Sequence, residues 1–199
     1  MYARQSVDLV CQFKEKFQLP QRYFLSVGTN EPRKNLGRLI SAFEQMKKKS
    51  RYGDIGLVLI GGKGWLNKHL NPKELNKKGI FPLGFLPEKE LPVAYSGALA
   101  FVYPSLYEGF GLPLLESMGC GVPVITSELS SIPEVVGQSG LYVDPLSVSS
   151  IQTQMERMAD QTELRHQLAT MAEQQSRQFS WEKTAQQTEE VYQKVLMQG

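Results

Sequence analysis

Six short apolar runs divide this 199-residue chain, and segments with a helical pattern separate most of them. The runs span residues 23–28, 56–61, 80–85, 99–103, 122–126 and 141–143. Most are continuously apolar rather than alternating, which is typical of strands that are covered on both faces. Alternation of such strands with helices predicts a Rossmann-like α/β fold, a doubly wound parallel sheet of six strands with helices on both faces.

Apolar residues at helical spacing predict where the helices lie. A stripe after the first run consists of Leu36, Leu39, Ile40, Phe43 and Met46. From Ser147 onward the pattern is helical throughout, with stripes in residues 151–158, 164–171 and 181–195. We expect all of these stripes to pack in the core, and a leading helix within the first twenty residues.

The composition argues against several functions. A net charge of only +2 and the lack of a basic stripe interleaved with aromatic residues argue against nucleic-acid binding. Cys11 and Cys120 lack metal-ligand spacing, and His69 and His166 have no partners spaced for zinc or a catalytic triad. No apolar stretch approaches the ~20 residues that cross a bilayer, and no signal-peptide pattern is visible. A cytoplasmic location is therefore expected.

Glu108 and Glu116 bracket two glycines and a proline directly after the fourth apolar run. Gly109 and Gly111 allow a tight turn, and Pro113 suits the first turn of a helix. Backbone amides at that helix N-terminus would favour an anion, and the carboxylates can accept hydrogen bonds from hydroxyls on either side of it. This arrangement fits a nucleotide sugar. A capped helix with acidic residues near its positive end is the alternative.

Arg33 and Lys34 stand just ahead of a helix that is predicted to begin near Asn35, a good cap. The helix dipole disfavours cations there by about 0.3–1 kcal/mol each. A bound pyrophosphate would offset that cost through charge-assisted hydrogen bonds. Two exposed cations without a partner are the alternative. On the first reading, Lys34→Ala should weaken diphosphate binding and leave folding nearly intact.

The segment Gly28-Thr-Asn-Glu-Pro-Arg-Lys-Asn35 and the pair Glu108 and Glu116 resemble the group 1 family of retaining nucleotide-sugar glycosyltransferases. The resemblance covers roughly residues 23–196 and is to the C-terminal, donor-binding half of a GT-B fold. It implies metal-independent transfer of a hexose from a UDP- or GDP-sugar, in polysaccharide or glycolipid synthesis. Many members carry an arginine directly after the first glycine, where this chain has Thr29, so Arg33 is the candidate for that role.

The resemblance also implies roles for individual residues. Arg33 and Lys34 would stabilise the departing diphosphate, Glu108 would anchor the sugar without acting as a nucleophile, and Glu116 would hold the ribose. The other donor-binding residues that it implies are Gly28, Leu86, Gly109, Phe110, Gly111 and Leu112. Gly62 is a further donor-binding candidate, because a glycine at a strand end lets the backbone come close to a ligand.

Three strand-end loops leave alternatives open. The segment Gly61-Gly62-Lys63-Gly64 is as readily a structural turn as a ligand contact, and it lacks the Walker pattern. In residues 83–87, backbone contacts to a nucleobase and a plain turn are equally compatible with the sequence. Ser130 or Ser131 is a candidate helix cap after the fifth run.

The predicted organisation has three parts. Residues 1–22 are a linker and leading helix, 23–179 bind the nucleotide sugar, and 180–199 form a C-terminal helix that returns towards an N-terminal acceptor domain. That domain would be the partner of this chain, and a peripheral membrane association of the parent protein remains open. Two rival functions are a binding-only module without turnover and a dehydrogenase domain. A dehydrogenase domain would need a Gly-x-Gly-x-x-Gly turn after the first strand, and this chain has no such turn after Val27.

Overall fold

The computed structural model describes residues 2–62 and 72–197. Its six strands are β1 (Arg22–Val27), β2 (Ile55–Ile60), β3 (Ile80–Gly84), β4 (Ala100–Tyr103), β5 (Val124–Ser127) and β6 (Gly140–Val143). Its first helices are α1 (Val7–Lys16), α2 (Leu36–Lys47), α3 (Pro72–Lys77), α4 (Leu91–Ser96) and α5 (Leu112–Gly119). They are followed by α6 (Ile132–Val136), α7 (Val148–Asp160), α8 (Thr162–Ser176) and α9 (Trp181–Met197).

The strands form one parallel sheet in the order β3-β2-β1-β4-β5-β6. The first strand, β1, lies in the middle of the sheet, and β2 and β3 follow on one side of it. The chain then crosses to the other side of β1, where β4, β5 and β6 are added in order. All residues of β2, β4 and β5 are buried, because helices cover both faces of the sheet. The predicted doubly wound fold and its six strands are thus confirmed. A ligand site is expected where the strand order reverses, at the carboxyl ends of β1 and β4.

Neighbouring residues on each strand supply two separate hydrophobic cores, because successive side chains of a strand point to opposite faces. Phe24 packs in the core formed with α2 and α7, where Phe43 and Met155 are fully buried. Leu25 packs in the core on the other face, with Tyr95 of α4 and residues of α1, α5, α6 and α8. The sheet is therefore packed on both faces, and the loops at its carboxyl edge extend from this core.

The terminal helices behave differently from each other. Val10 and Phe13 of α1 are buried, so this predicted leading helix is part of the packed body. In α9 none of the described residues is buried, and Trp181 and Leu196 are 71% and 81% exposed. The prediction that every C-terminal stripe packs in the core is confirmed for α7 and α8 and wrong for α9. Periodicity shows that a helix has an apolar face, but not what that face contacts.

Across residues 2–62 and 72–197, none of the helices combines the length and apolarity that a membrane span requires.

Candidate functional site

The segment between β1 and α2 forms one wall of the site. A 3₁₀ turn at Pro32–Lys34 is followed by Asn35, which adopts a left-handed conformation with φ of 59°. The predicted cap is wrong in its chemistry, since the Asn35 side chain makes no capping bond. Its Nδ2 instead donates to the carbonyl oxygens of Pro104 and Pro145, at 3.0 and 2.6 Å. Asn35 thereby ties three strand-end loops together.

Both predicted cations converge on Glu108. Lys34 Nζ lies 2.8 Å from Glu108 Oε1, and Arg33 Nη1 lies 2.6 Å from Glu108 Oε2. Arg33 Nε also pairs with Glu31 at 2.8 Å. Lys34 and Glu108 are only 8% and 6% exposed, whereas Arg33 reaches solvent. The alternative of two exposed, unpaired cations is therefore wrong, and the prediction that Lys34→Ala leaves folding nearly intact does not fit a buried ion pair.

The ion pair sets the protonation of Glu108 and Lys34. Burial alone would raise the pKa of Glu108, but the hydrogen bond and charge of Lys34 outweigh it, and the pKa lies below its ordinary value. Burial lowers the pKa of Lys34, and the hydrogen bond to Glu108 offsets this only in part. Glu108 is accordingly an ionised carboxylate whose lone pairs are bound by two cations. It is suited to accepting hydrogen bonds and poorly suited to attack as a nucleophile.

Tyr103, at the end of β4, is a site residue that the sequence did not reveal. Its hydroxyl contacts Lys34 Nζ, and its ring centroid lies 4.5 Å from the same nitrogen. Burial and the charge of Glu108 raise the pKa of Tyr103 well above its ordinary value, so the phenol stays neutral. In the sequence Tyr103 is one apolar residue of a buried strand, and no spacing rule links it to Lys34.

A cavity of about 440 Å³ opens beside Lys34 and Tyr103 at the carboxyl ends of β1, β2 and β3. Gly28 and Gly62, both predicted donor-binding residues, line it. Leu86 is not among the described lining residues: its side chain packs in the core, and Leu83 and Gly84 of the same loop face the cavity instead. The sequence predicts where a strand-end loop lies, but it does not predict which residues of the loop face the cavity.

The double-glycine segment after β2 is a packed turn. At Gly61, φ is +147° and a Cβ would lie 2.0 Å from the carbonyl oxygen of Gly28, so only glycine fits. At Gly62 a Cβ would meet no atom of the described residues within 4 Å. The structural interpretation of the turn therefore holds at Gly61, whereas Gly62 lines the cavity. Lys63 and Gly64 lie outside the described residues.

The Glu108–Glu116 segment has the predicted turn and helix. Gly111 precedes α5 with φ of 98°, and none of the described side chains caps that helix. The side chains of Phe110 and Leu112 are partly exposed beside the turn. Glu116, one turn into the helix, accepts a hydrogen bond from the Tyr95 hydroxyl at 2.8 Å. Burial and the charge of Glu88 raise its pKa above the ordinary value, although the bond to Tyr95 opposes this.

The two serines after β5 do not cap α6 through their side chains. The Ser130 hydroxyl accepts a hydrogen bond from the Glu108 amide, and the Ser131 hydroxyl donates to the Glu108 carbonyl oxygen. The predicted capping role is thus replaced by a contact with the site. Ser130 and Ser131 lie 22 and 23 positions after Glu108 in the chain, and no sequence signal links them to it. The pairing of β4 with β5 brings these segments together.

The remaining candidates lie elsewhere. His166 is exposed on α8, and His69 lies outside the described residues. Within residues 2–62 and 72–197, no group of three or more His, Cys, Asp or Glu side chains is placed to hold a metal ion. Independence from metal stays a prediction.

Comparison with known proteins agrees with this architecture. The family model described as glycosyl transferases group 1 matches residues 11–175. O-antigen chain mannosyltransferase B of Escherichia coli is 41% identical over 184 residues, which are 89% of this chain and 48% of that protein. The chain thus spans about half the length of this curated relative.

Solved structures of other proteins share the fold. The C-terminal domain of the glycosyl transferase group 1 family protein LpcC from Francisella tularensis has a TM-score of 0.72 and 26% identity, with 86% of this chain and 92% of that chain covered. Anabaena HepE in complex with UDP-glucose has a TM-score of 0.80 and 19% identity, with 96% and 54% covered.

The six-stranded Rossmann-like sheet matches nearly all of the LpcC C-terminal domain and about half of the longer HepE chain, so it is one half of a GT-B glycosyltransferase fold. The chain belongs to the glycosyl transferases group 1 family.

Proposed function

We propose that this chain is the donor-binding domain of a retaining hexosyltransferase, and that it holds a nucleoside diphosphate sugar at the carboxyl edge of its sheet. The observation that carries the proposal is the convergence of Arg33, Lys34 and Glu108 beside a 440 Å³ cavity, with Glu108 three residues ahead of Gly111 in the chain. Two cations and an uncapped helix N-terminus favour a diphosphate, and a neighbouring ionised carboxylate favours hydroxyls.

The chemistry that these groups can supply is electrostatic. When the glycosidic bond to the nucleotide breaks, negative charge grows on the departing diphosphate, and on this proposal Arg33 and Lys34 stabilise that charge. Removing one such donor typically raises the barrier by about 2.7–4 kcal/mol. Glu108 already binds both cations, so a diphosphate would take over part of that pairing. The released carboxylate oxygens would then accept hydrogen bonds from the sugar.

We propose mannose as the transferred sugar and O-antigen synthesis as the setting. Support comes from the name of the E. coli relative at 41% identity, an O-antigen chain mannosyltransferase. Support for a nucleoside diphosphate donor comes from HepE, whose structure contains UDP-glucose. GDP and UDP both remain candidates for the nucleotide, because the proposed base contacts are to backbone atoms of residues 83–87.

The exposed apolar face of α9 is proposed to contact the acceptor-binding domain of a longer parent protein. Trp181, Tyr192 and Val195 on this helix are each at least 65% exposed. Because the chain spans 48% of its E. coli relative, a second candidate function applies to the isolated chain: it binds nucleotide sugar without transferring it. The proposed location is the cytoplasm, at the inner membrane surface when the parent is bound there.

Calorimetry with GDP, UDP, GDP-mannose and UDP-glucose tests the proposal. We expect the chain to bind one nucleotide and its sugar conjugate. Arg33→Gln should weaken that binding about ten- to a hundredfold, the range for a lost hydrogen bond to a charged group. The matched control is Arg51→Gln, which removes a surface arginine paired with Asp160 at 3.1 Å and should leave binding unchanged. No binding of any of the four compounds would contradict the proposal.

A transfer assay with a mannosylated acceptor separates the two candidate functions. The binding-only function predicts sugar transfer by the full-length parent and none by this chain. Turnover by the chain alone would overturn it.

A further inference from the structure

Hydroxyl groups from the end of β5 hold the loop that leads from β4 to Glu108. Regular pairing of β4 with β5 reaches Tyr103 and Thr126. At that point the Thr126 hydroxyl donates to the carbonyl oxygen of Tyr103 at 2.7 Å. The Ser127 hydroxyl donates to the carbonyl oxygen of Ser105 at 2.5 Å. Side chains thus continue the contact between the two segments beyond the sheet and towards the candidate site.

Ser130 and Ser131 extend this contact to Glu108 itself. Ser130 Oγ accepts a hydrogen bond from the Glu108 amide at 3.0 Å, and Ser131 Oγ donates to the Glu108 carbonyl oxygen at 3.0 Å. Both main-chain polar groups of one residue are therefore bound by two adjacent hydroxyls, which we call the hydroxyl clamp.

Both serines give up local stability to make these contacts. Ser130 has φ of 52°, in the left-handed region where a side chain is disfavoured and glycine is not. Ser131 occupies the position before α6 without capping it, whereas Ser147 caps α7 by accepting a hydrogen bond from the Ser150 amide at 3.2 Å. Backbone strain of the kind seen at Ser130 clusters at functional sites.

The hydroxyl clamp would matter most when a diphosphate binds Arg33 and Lys34 in place of Glu108. Arg33 and Lys34 orient the Glu108 carboxylate now, but a bound diphosphate would draw them away from it. The main-chain bonds to Ser130 and Ser131 would then keep Glu108 in place. We infer that Ser130 and Ser131 are positioning residues, which act through Glu108 and set its carboxylate towards the sugar of the donor. This inference rests on the proposed function.

Three variants test the clamp: Ser130→Gly, Ser131→Ala and the control Ser147→Ala. Calorimetry uses whichever pair the wild type binds, GDP with GDP-mannose or UDP with UDP-glucose. We expect both clamp variants to bind the nucleotide sugar up to about tenfold more weakly, and to keep the affinity for the sugar-free nucleotide within about twofold. Ser130→Gly should change Tm little, because the relief of strain at φ of 52° offsets the lost hydrogen bond to the Glu108 amide. Ser147→Ala should lower Tm and change neither affinity.

An equal loss for nucleotide and nucleotide sugar, or no loss for either, would overturn the inference. Hydrogen exchange of the Glu108 amide provides a readout that needs no ligand, and Ser130→Gly should accelerate it. If the wild type binds none of the four compounds, the proposed function fails, and this exchange rate decides about the clamp alone. Faster exchange supports the clamp, and an unchanged rate overturns it.

Discussion

Replacing Lys34 by methionine should destabilise the folded chain strongly, because it leaves Glu108 buried with one cation fewer. At 2.8 Å, the direct attraction between Lys34 Nζ and Glu108 Oε1 is about 6 kcal/mol with an effective dielectric constant of 20. Desolvation of both groups offsets part of it, and breaking a buried pair typically costs about 3–5 kcal/mol. Arg33 still binds Glu108 at 2.6 Å, so the lower end, about 3 kcal/mol, applies.

In a domain of this size, about 3 kcal/mol corresponds to a fall in Tm of roughly 6–12 °C. Thermal unfolding followed by circular dichroism at pH 7 measures it. The matched control is Lys49→Met, which breaks a pair with Glu156 at 2.7 Å in which Lys49 is half exposed, and which should cost less than about 1 kcal/mol.

The double variant Lys34→Met with Glu108→Gln should be less destabilised than the sum of the two single variants, because neither charge remains buried alone. If Lys34→Met and Lys49→Met shifted Tm equally, the buried-pair reasoning would be refuted.

Three further predictions concern single residues. Because the pKa of Glu108 is depressed below 4.5, its contribution to stability is present at neutral pH and is lost as pH falls through the folded-state value; urea unfolding between pH 7 and 3 should show a loss that Glu108→Gln lacks. The pKa of Glu116 is raised, so the contribution of Glu116 to stability declines as pH rises above 4.5, and Glu116→Gln should raise Tm at pH 7 while weakening nucleotide binding; a lower Tm would contradict this. Gly61→Ala should cost at least about 2 kcal/mol in urea unfolding, since its Cβ would lie 2.0 Å from Gly28 O. Gly62→Ala, whose Cβ would meet no atom of the described residues within 4 Å, should fall within about 0.5 kcal/mol of wild type.

The sheet and most helices could be predicted from the sequence because each follows from local patterns. Continuous apolar runs identify buried strands, and strand-helix alternation dictates parallel pairing. Apolar residues at helical spacing also predict the apolar face of α9. They do not predict that this face is exposed, because burial depends on what packs against the helix. Local pattern is silent about partners that are distant in sequence.

Contacts between residues distant in sequence are also the part of the candidate site that could not be predicted. Arg33, Lys34 and Glu108 could be placed at strand ends, and strand ends of a parallel sheet share one edge. That the cations bind Glu108 directly, and that Tyr103 contacts Lys34, depends on side-chain directions at that edge. Serine is a common helix-capping residue, so the sequence suggests that role for Ser130. In the structure the Ser130 backbone is left-handed, and its hydroxyl accepts a hydrogen bond from the Glu108 amide instead.

A crystal structure of the chain with its nucleotide sugar would test the central claim most directly. The account predicts the diphosphate within hydrogen-bond distance of Arg33 and Lys34, beside the Gly111 turn, with a sugar hydroxyl on Glu108. A diphosphate bound elsewhere on the molecule, with the Lys34–Glu108 pair intact at 2.8 Å, would contradict it.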